Sequence, residues 1–254
     1  MCPEQVDKSY NQRVKYLIIC EFDGRGFEGW QSQPSRNTVQ DKIEGVLLKI
    51  LGEKVRVVGA GRTDAGVSAY RYPFSFKTQR KIEDMNKFLH SINSLIDKRI
   101  FFHSIKKVDD DFSARFSCKM RVYKYYVYNG NSPLKKDFYW QVDYRLDYEK
   151  IKQFVEEIKG KHDFSSFCRK KSLLENNVVN LSKSEVNIKG KEMVFTFGAD
   201  RFLHNMVRFL VGTAISYGRG KIDLKPLELL KVKDVKYAGK LAPSEGLIFY
   251  RAYY

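Results

Sequence analysis

From Lys15 to Phe22 the chain is mostly apolar, rich in β-branched residues and closed by the turn dipeptide Asp23-Gly24, which predicts a strand. The spacing then changes: Val39, Ile43, Val46, Leu47, Ile50 and Leu51 recur at helical intervals, with Thr38 in front as an N-cap and Gly52 behind as a stop. Val55 to Val58 predicts a short strand, and beyond a glycine-rich segment Tyr72, Phe74 and Phe76 alternate with polar positions as another. Met85, Phe88, Leu89 and Ile92 share one face of a helix from Ile82 to Asn93, and Ile100 to Val108 reads as a strand. The order is βαββαβ.

The second half repeats it. Arg121 to Tyr128 predicts a strand, Asp147 caps a helix whose face is Ile151, Phe154, Val155 and Ile158, and Val178 to Ile188 with Met193 to Ala199 predicts a hairpin around Lys189-Gly190. An apolar helix from Phe202 to Tyr217 and a last strand from Leu247 to Tyr253 follow, with Pro226 opening a short helix between them. Two such units in tandem predict an α+β fold of two ferredoxin-like domains with antiparallel sheets packed side by side. The boundary falls near Asp109-Asp110-Asp111, giving domains at 1–110 and 111–254. Three successive carboxylates point in different directions, so they mark an exposed turn better than a metal cluster. No long linker separates the units.

Charge adds a partner to this picture. Lysine plus arginine number 46 against 30 acidic residues, a net +16 spread along the 254 residues, which favours a polyanion, nucleic acid first. Lysine loaded on every surface would give the same surplus. Cys2, Cys20, Cys118 and Cys168 offer neither a CxxC knuckle nor a dense disulfide framework, and His90, His103, His162 and His204 lack metal-ligand spacing, so no structural metal is expected. The N-terminal stretch is polar and Tyr16 to Cys20 is too short for a signal or a membrane span, so a soluble, intracellular protein is expected.

The candidate chemistry lies in Gly59 to Val67, GAGRTDAGV. A GxGxxG fingerprint needs glycine where Asp64 stands, and no GK[ST] follows, so neither nucleotide-binding loop fits. Asp64 reads either as a turn residue bonded to its own backbone or as a nucleophile two residues from the cation Arg62. Both readings stay open from the residues alone.

That stretch resembles the signature of the TruA-type pseudouridine synthases. The likeness extends through FDGRGFEGWQSQP, TVQDKIE, DDFSARFS, RVYKY, HDFSSF, FLHNMVRFLVG and APSEGL, in the family's order from about Lys15 to Tyr254. It implies two fused ferredoxin-like halves around a central basic cleft, no metal or other cofactor, a cytoplasmic homodimer, and tRNA as partner. The implied reaction is isomerisation of uridine to pseudouridine in the anticodon stem-loop, at tRNA positions 38, 39 and 40. By resemblance Asp64 is the essential aspartate, Arg208 the arginine that pairs with it, and Arg62 the cation that helps hold the target nucleotide out of its stack. Tyr123 falls on the active-site tyrosine and Leu247 on the wall over the base. Periodicity alone would make Tyr123, Tyr125 and Val127 one strand face and Arg208 an arginine reaching out of an apolar helix. Lys135, Lys136, Lys170 and Lys171 lie in predicted loops, as phosphate contacts or as solvated surface.

Ser68 departs from the family's usual histidine, and Glu175 to Asn180 lacks the usual arginine, which bears on RNA contacts more than on chemistry. A TruA-like paralogue acting on other RNA uridines is one alternative. Another is a non-catalytic pair of RRM-like RNA-binding units, although YRYPFSF, interrupted by Pro73, lacks the RNP1 glycines. A small-molecule ferredoxin-like enzyme sits poorly with the charge.

Overall fold

A computed structural model describes residues 13–254. Cys2 and the polar N-terminal stretch lie outside the described residues. The first half runs β1 (Val14–Phe22), α1 (Val39–Leu51), β2 (Val58–Gly59), β3 (Ser68–Thr78), α2 (Met85–Leu95) and β4 (Ile100–Val108). The second runs β5 (Met120–Asn129), β6 (Trp140–Val142), α3 (Tyr148–Glu157), β7 (Gly160–Asp163), β8 (Val178–Lys189), β9 (Glu192–Ala199), α4 (Met206–Gly218), α5 (Pro226–Val232) and β10 (Leu247–Tyr253).

The strands form one mixed α/β sheet in the order β4-β1-β3-β10-β5-β9-β8-β7, with β2 on β3 and β6 on β5. The expected pair of sheets lying side by side is therefore a single sheet. Its halves are stitched by a short parallel pairing of β10 with β3, Ile248 opposite Ser68 and Phe249 opposite Ala69. This seam brings the start of β3, just after the glycine-rich segment, against the start of β10.

Burial follows the strand alternation. Tyr16, Ile18, Cys20 and Phe22 of β1 and Tyr72, Phe74 and Phe76 of β3 are buried with Val39, Ile43 and Leu47 of α1 and Phe88 and Ile92 of α2. In the second half Tyr125, Val127, Phe195 and Phe197 are buried with Ile151, Phe154 and Val155 of α3 and nearly all of α4. Each such side chain contributes about 1.5–3 kcal/mol on full burial. Thr38 and Asp147 cap α1 and α3 as expected, accepting from Asp41 N and from Glu149 N and Lys150 N.

Several boundaries move for local reasons. α2 begins at Met85 because the Asp84 side chain accepts from Lys87 N at 2.9 Å and fixes the cap there. β2, Val58–Gly59, shares only Val58 with the expected Val55–Val58 strand. β3 runs unbroken through Pro73. The Pro73 carbonyl accepts from Ala60 N at 3.0 Å, and a strand residue's N–H and C=O share a side, so the missing donor falls where β2 ends and not on the β1 ladder. Asp109 closes the predicted acidic turn by accepting from Phe112 N, and Asp110 pairs with Lys77 at 2.6 Å. α4 begins at Met206, four residues late, because Asn205 sits at φ 62, outside the helical region. Among the described residues no helix is long and apolar enough to cross a membrane.

Candidate active site

The loop from Gly59 to Val67 leaves β2, enters β3, and is clasped by the turn after β1. Trp30 N donates to Thr63 O (3.3 Å), Gly66 N to Phe27 O (3.2 Å) and Gly24 N to Ser68 Oγ (2.9 Å). Two glycines make the clasp possible. A Cβ on Gly24 would lie 2.0 Å from Val67 O, and one on Gly29, at φ 92, would lie 2.5 Å from Thr63 O. Gly24→Ala is therefore expected to lower stability by about 1–3 kcal/mol and displace the loop, measured by thermal denaturation. Ser68 is buried and holds this clasp, so the residue standing for the usual histidine faces the protein interior and not the cleft.

The turn is closed by backbone. Val67 N donates to Asp64 O at 3.2 Å, which leaves the Asp64 side chain free to cross into the second half of the molecule. There Oδ2 accepts from Arg208 Nη1 at 3.0 Å and from Asn205 Nδ2, while His204 Nε2 lies 3.5 Å from Oδ1. The reading of Asp64 as a self-bonded turn residue thus gives way to one in which the carboxylate reaches into a cleft. Its side chain is 26% exposed, against 15% for Arg208, so the oxygens remain reachable.

α4 supplies the other side. Arg208, in its first turn, donates Nε to Ala242 O at 2.7 Å, which aims the guanidinium at Asp64. The helix N-terminus adds partial positive charge facing the carboxylate. Asn205 occupies the cap position, yet its amide donates to Asp64 and caps nothing; its Oδ1 is buried without a partner. A non-glycine residue at positive φ costs about 1–2 kcal/mol, and an unpaired buried acceptor about 1–3 kcal/mol. His204 Nδ1 lies 2.7 Å from Ser172 Oγ.

The cleft between the halves, about 1550 Å³, gathers all five sequence-expected residues: Arg62, Asp64, Tyr123, Arg208 and Leu247. Tyr123 packs edge-on against Phe202 and Phe249 at 5.0 and 5.2 Å, and burial pushes its hydroxyl well above the usual tyrosine range. It stays protonated at neutral pH. Leu247, buried at the start of β10, closes the floor beside it. Arg62 is exposed and makes no hydrogen bond or ion pair among the described residues.

Seven arginines and no lysine line this cleft, although lysines outnumber arginines along the chain. Lys135, Lys136, Lys170 and Lys171 stand outside it, and Lys135 is tied to Glu192 at 2.7 Å. Arg121 was not singled out by pattern, yet it staples three segments, donating to Ala60 O (2.8 Å), Asp200 O (2.7 Å) and Arg115 O (2.5 Å). Asn205 and His204 were also missed, because Phe202 to Tyr217 reads as one apolar helix. The available signal was an asparagine preceding a helical run, a residue type that favours caps and tolerates positive φ.

The family model for tRNA pseudouridine synthase matches residues 154–254. The tRNA pseudouridine synthase A of Neorickettsia sennetsu is 38% identical over 244 residues, 95% of this chain and 100% of the relative. That of Geobacillus kaustophilus is 36% identical over 247 residues, covering 96% of this chain and 95% of the relative. A chain of the solved structure titled Crystal Structure of a Cbf5-Nop10-Gar1 Complex aligns over 92% of this chain and 48% of its own length, at 13% identity and a TM-score of 0.40. That likeness is too weak to argue from. Similarity sustained along the full length of the synthases places the chain in the tRNA pseudouridine synthase A family.

Proposed function

We propose that this protein isomerises uridine to pseudouridine in the anticodon stem-loop of tRNA, at positions 38, 39 and 40, with Asp64 as the catalytic residue. The observation that carries the reading is the Asp64 carboxylate, held between Arg208 and Asn205 from the opposite half and opening into an arginine-lined cleft.

The reaction breaks the bond from uracil N1 to C1′ and forms one from C5 to the same C1′. The hydrogen on C5 leaves as a proton and N1 gains one, so every heavy atom of product comes from the substrate and no co-reactant enters the balance. A carboxylate suits this work, since it can add to an electrophilic carbon or take a proton and leave again. Arg208 keeps a fixed positive charge beside the carboxylate where RNA excludes water. A uridine inside a stem must first be flipped, at a few kcal/mol, and exposed Arg62 braces the vacated place. Tyr123 stacks on the detached uracil and Leu247 walls it, which limits its movement while it turns.

We read the architecture as two ferredoxin-like domains, 1–110 and 111–254. The local orders β4-β1-β3-β2 and β10-β5-β9-β8 support this, because, with the short β6 and β7 set aside, each half places its fourth strand, then its first, third and second. A cytoplasmic homodimer working without metal or cofactor completes the proposal.

The reading is tested with tRNA carrying tritium at uracil C5. Purified protein should release it as water in the presence of chelator; no release would contradict the assigned reaction. Asn205→Gly gives a further expected result. Relief of the positive φ offsets the lost amide, so stability should change by less than about 1 kcal/mol while turnover falls roughly tenfold. Equal, large losses in Tm and turnover would make Asn205 a purely structural residue.

A further inference from the structure

Phe116 is 81% exposed, more than any other aromatic side chain among the described residues, and it lines the same cleft as Asp64. Three other exposed rings are covered from elsewhere in the chain: Tyr70 stacks on Tyr250 at 5.6 Å, and the Phe138 and Tyr144 rings lie under Arg25 and Arg219 at 4.6 and 3.6 Å. No aromatic ring packs on Phe116 among the described residues, and its nearest cation is its neighbour Arg115, 5.2 Å away.

This exposure is built in. Ala114 is fully buried, its N–H donating to Ser75 Oγ at 3.4 Å and its carbonyl accepting from Tyr254 OH at 2.9 Å. Arg115 O accepts from Arg121 Nη2, and beyond the ring Ser117 N donates to Ser113 O at 2.9 Å. The chain is fastened on both sides of the ring, and the ring projects beside the exposed Arg115. An uncovered apolar face in an arginine-lined cleft fits a ligand that presents a flat, weakly hydrated face beside phosphates. That ligand is an unpaired nucleobase.

We propose that Phe116 is a stacking platform for an unpaired base of the RNA, next to the uridine that enters the cleft. The inference rests on the tRNA isomerase reading and extends it to a second base. Guanidinium planes such as Arg115 add a cation that can stack on the base or meet the adjoining phosphate. Loss of one base–aromatic stack corresponds to a rise of about 5- to 150-fold in Kd.

The test compares the full chain with Phe116→Ala, Phe116→Leu and Phe116→Trp, which the exposed position should accept without loss of fold. Binding is measured at one salt concentration to an RNA stem-loop with unpaired loop nucleotides and to a blunt duplex with equal phosphate number. Alanine and leucine should raise Kd for the stem-loop by about 5- to 150-fold and leave the duplex unchanged, while tryptophan keeps stem-loop affinity. Unchanged stem-loop binding by Phe116→Ala, full affinity with leucine, or equal loss on both RNAs overturns the platform. Wild-type protein that binds neither RNA overturns the isomerase reading as well, so the two failures are distinguishable.

Discussion

Asp64→Asn is expected to bind tRNA at least as tightly as wild type while forming product more slowly by on the order of 10⁴-fold or more. Asparagine has the shape of aspartate, and the position is partly exposed at 26%, so the clasp formed by Gly24, Gly29 and Ser68 should persist. Binding is retained because one negative charge is removed from a cleft lined by seven arginines, which favours a polyanion. Chemistry is lost because a neutral amide neither adds to an electrophilic carbon nor serves as a base at neutral pH. Single-turnover kinetics with saturating protein separate the two quantities, and product at the wild-type rate would remove Asp64 from the mechanism.

Arg208→Ala should slow turnover by roughly 10²-fold, the scale associated with removing one preorganised electrostatic partner of a reacting group. Arg208 has two ties, Nε to Ala242 O and Nη1 to Asp64 Oδ2, and its planar fork is what allows both at once. Arg208→Lys should therefore recover only part of the rate, since a point charge can serve one tie or the other. The lost bonds are worth about 1–3 kcal/mol in stability, which lowers Tm by a few degrees and leaves the protein folded at assay temperature. If lysine restores the full rate, charge alone matters and the paired geometry does not.

Much of this architecture was legible wherever apolar residues repeat at a fixed interval. The apolar run of β1, the α1 face from Val39 to Leu51 and the Leu247–Tyr253 strand agree closely with expectation because each buries its apolar side chains in the core. The merging of two sheets into one was not legible, since the β3–β10 seam rests on two residue pairs with no local signal. Short β6 and β7 were missed for a similar reason: three or four residues are too few to express a period.

The site divides in the same way. Asp64, Arg62, Tyr123, Arg208 and Leu247 could be named from motifs, and all line one cleft. What hydropathy hid was the kink at Asn205, since it reads straight through the FLHN segment while the backbone turns left-handed and aims an amide at Asp64. Ser68 shows the reverse. A position flagged by its departure from the family pattern is an internal tie to Gly24 N, buried under the loop and turned away from the cleft.

These observations share one physical theme. Asp64 belongs to a loop of the first half, whereas Arg208, Asn205 and His204, which surround its oxygens, belong to the second. The carboxylate is therefore in order only when the sheet is continuous, and Arg121, bridging Ala60, Arg115 and Asp200, helps keep it so. Arginine enrichment gives the cleft planar forks of a shape suited to bidentate phosphate contacts, which lysine does not have.

The most direct measurement is nucleotide-resolution mapping of pseudouridine in unmodified tRNA after incubation with purified wild-type or Asp64→Asn protein and chelator. Conversion of uridines at positions 38, 39 and 40 by the wild type, with none by the variant despite retained binding, is the predicted result. Conversion by both proteins, or by neither, would contradict it.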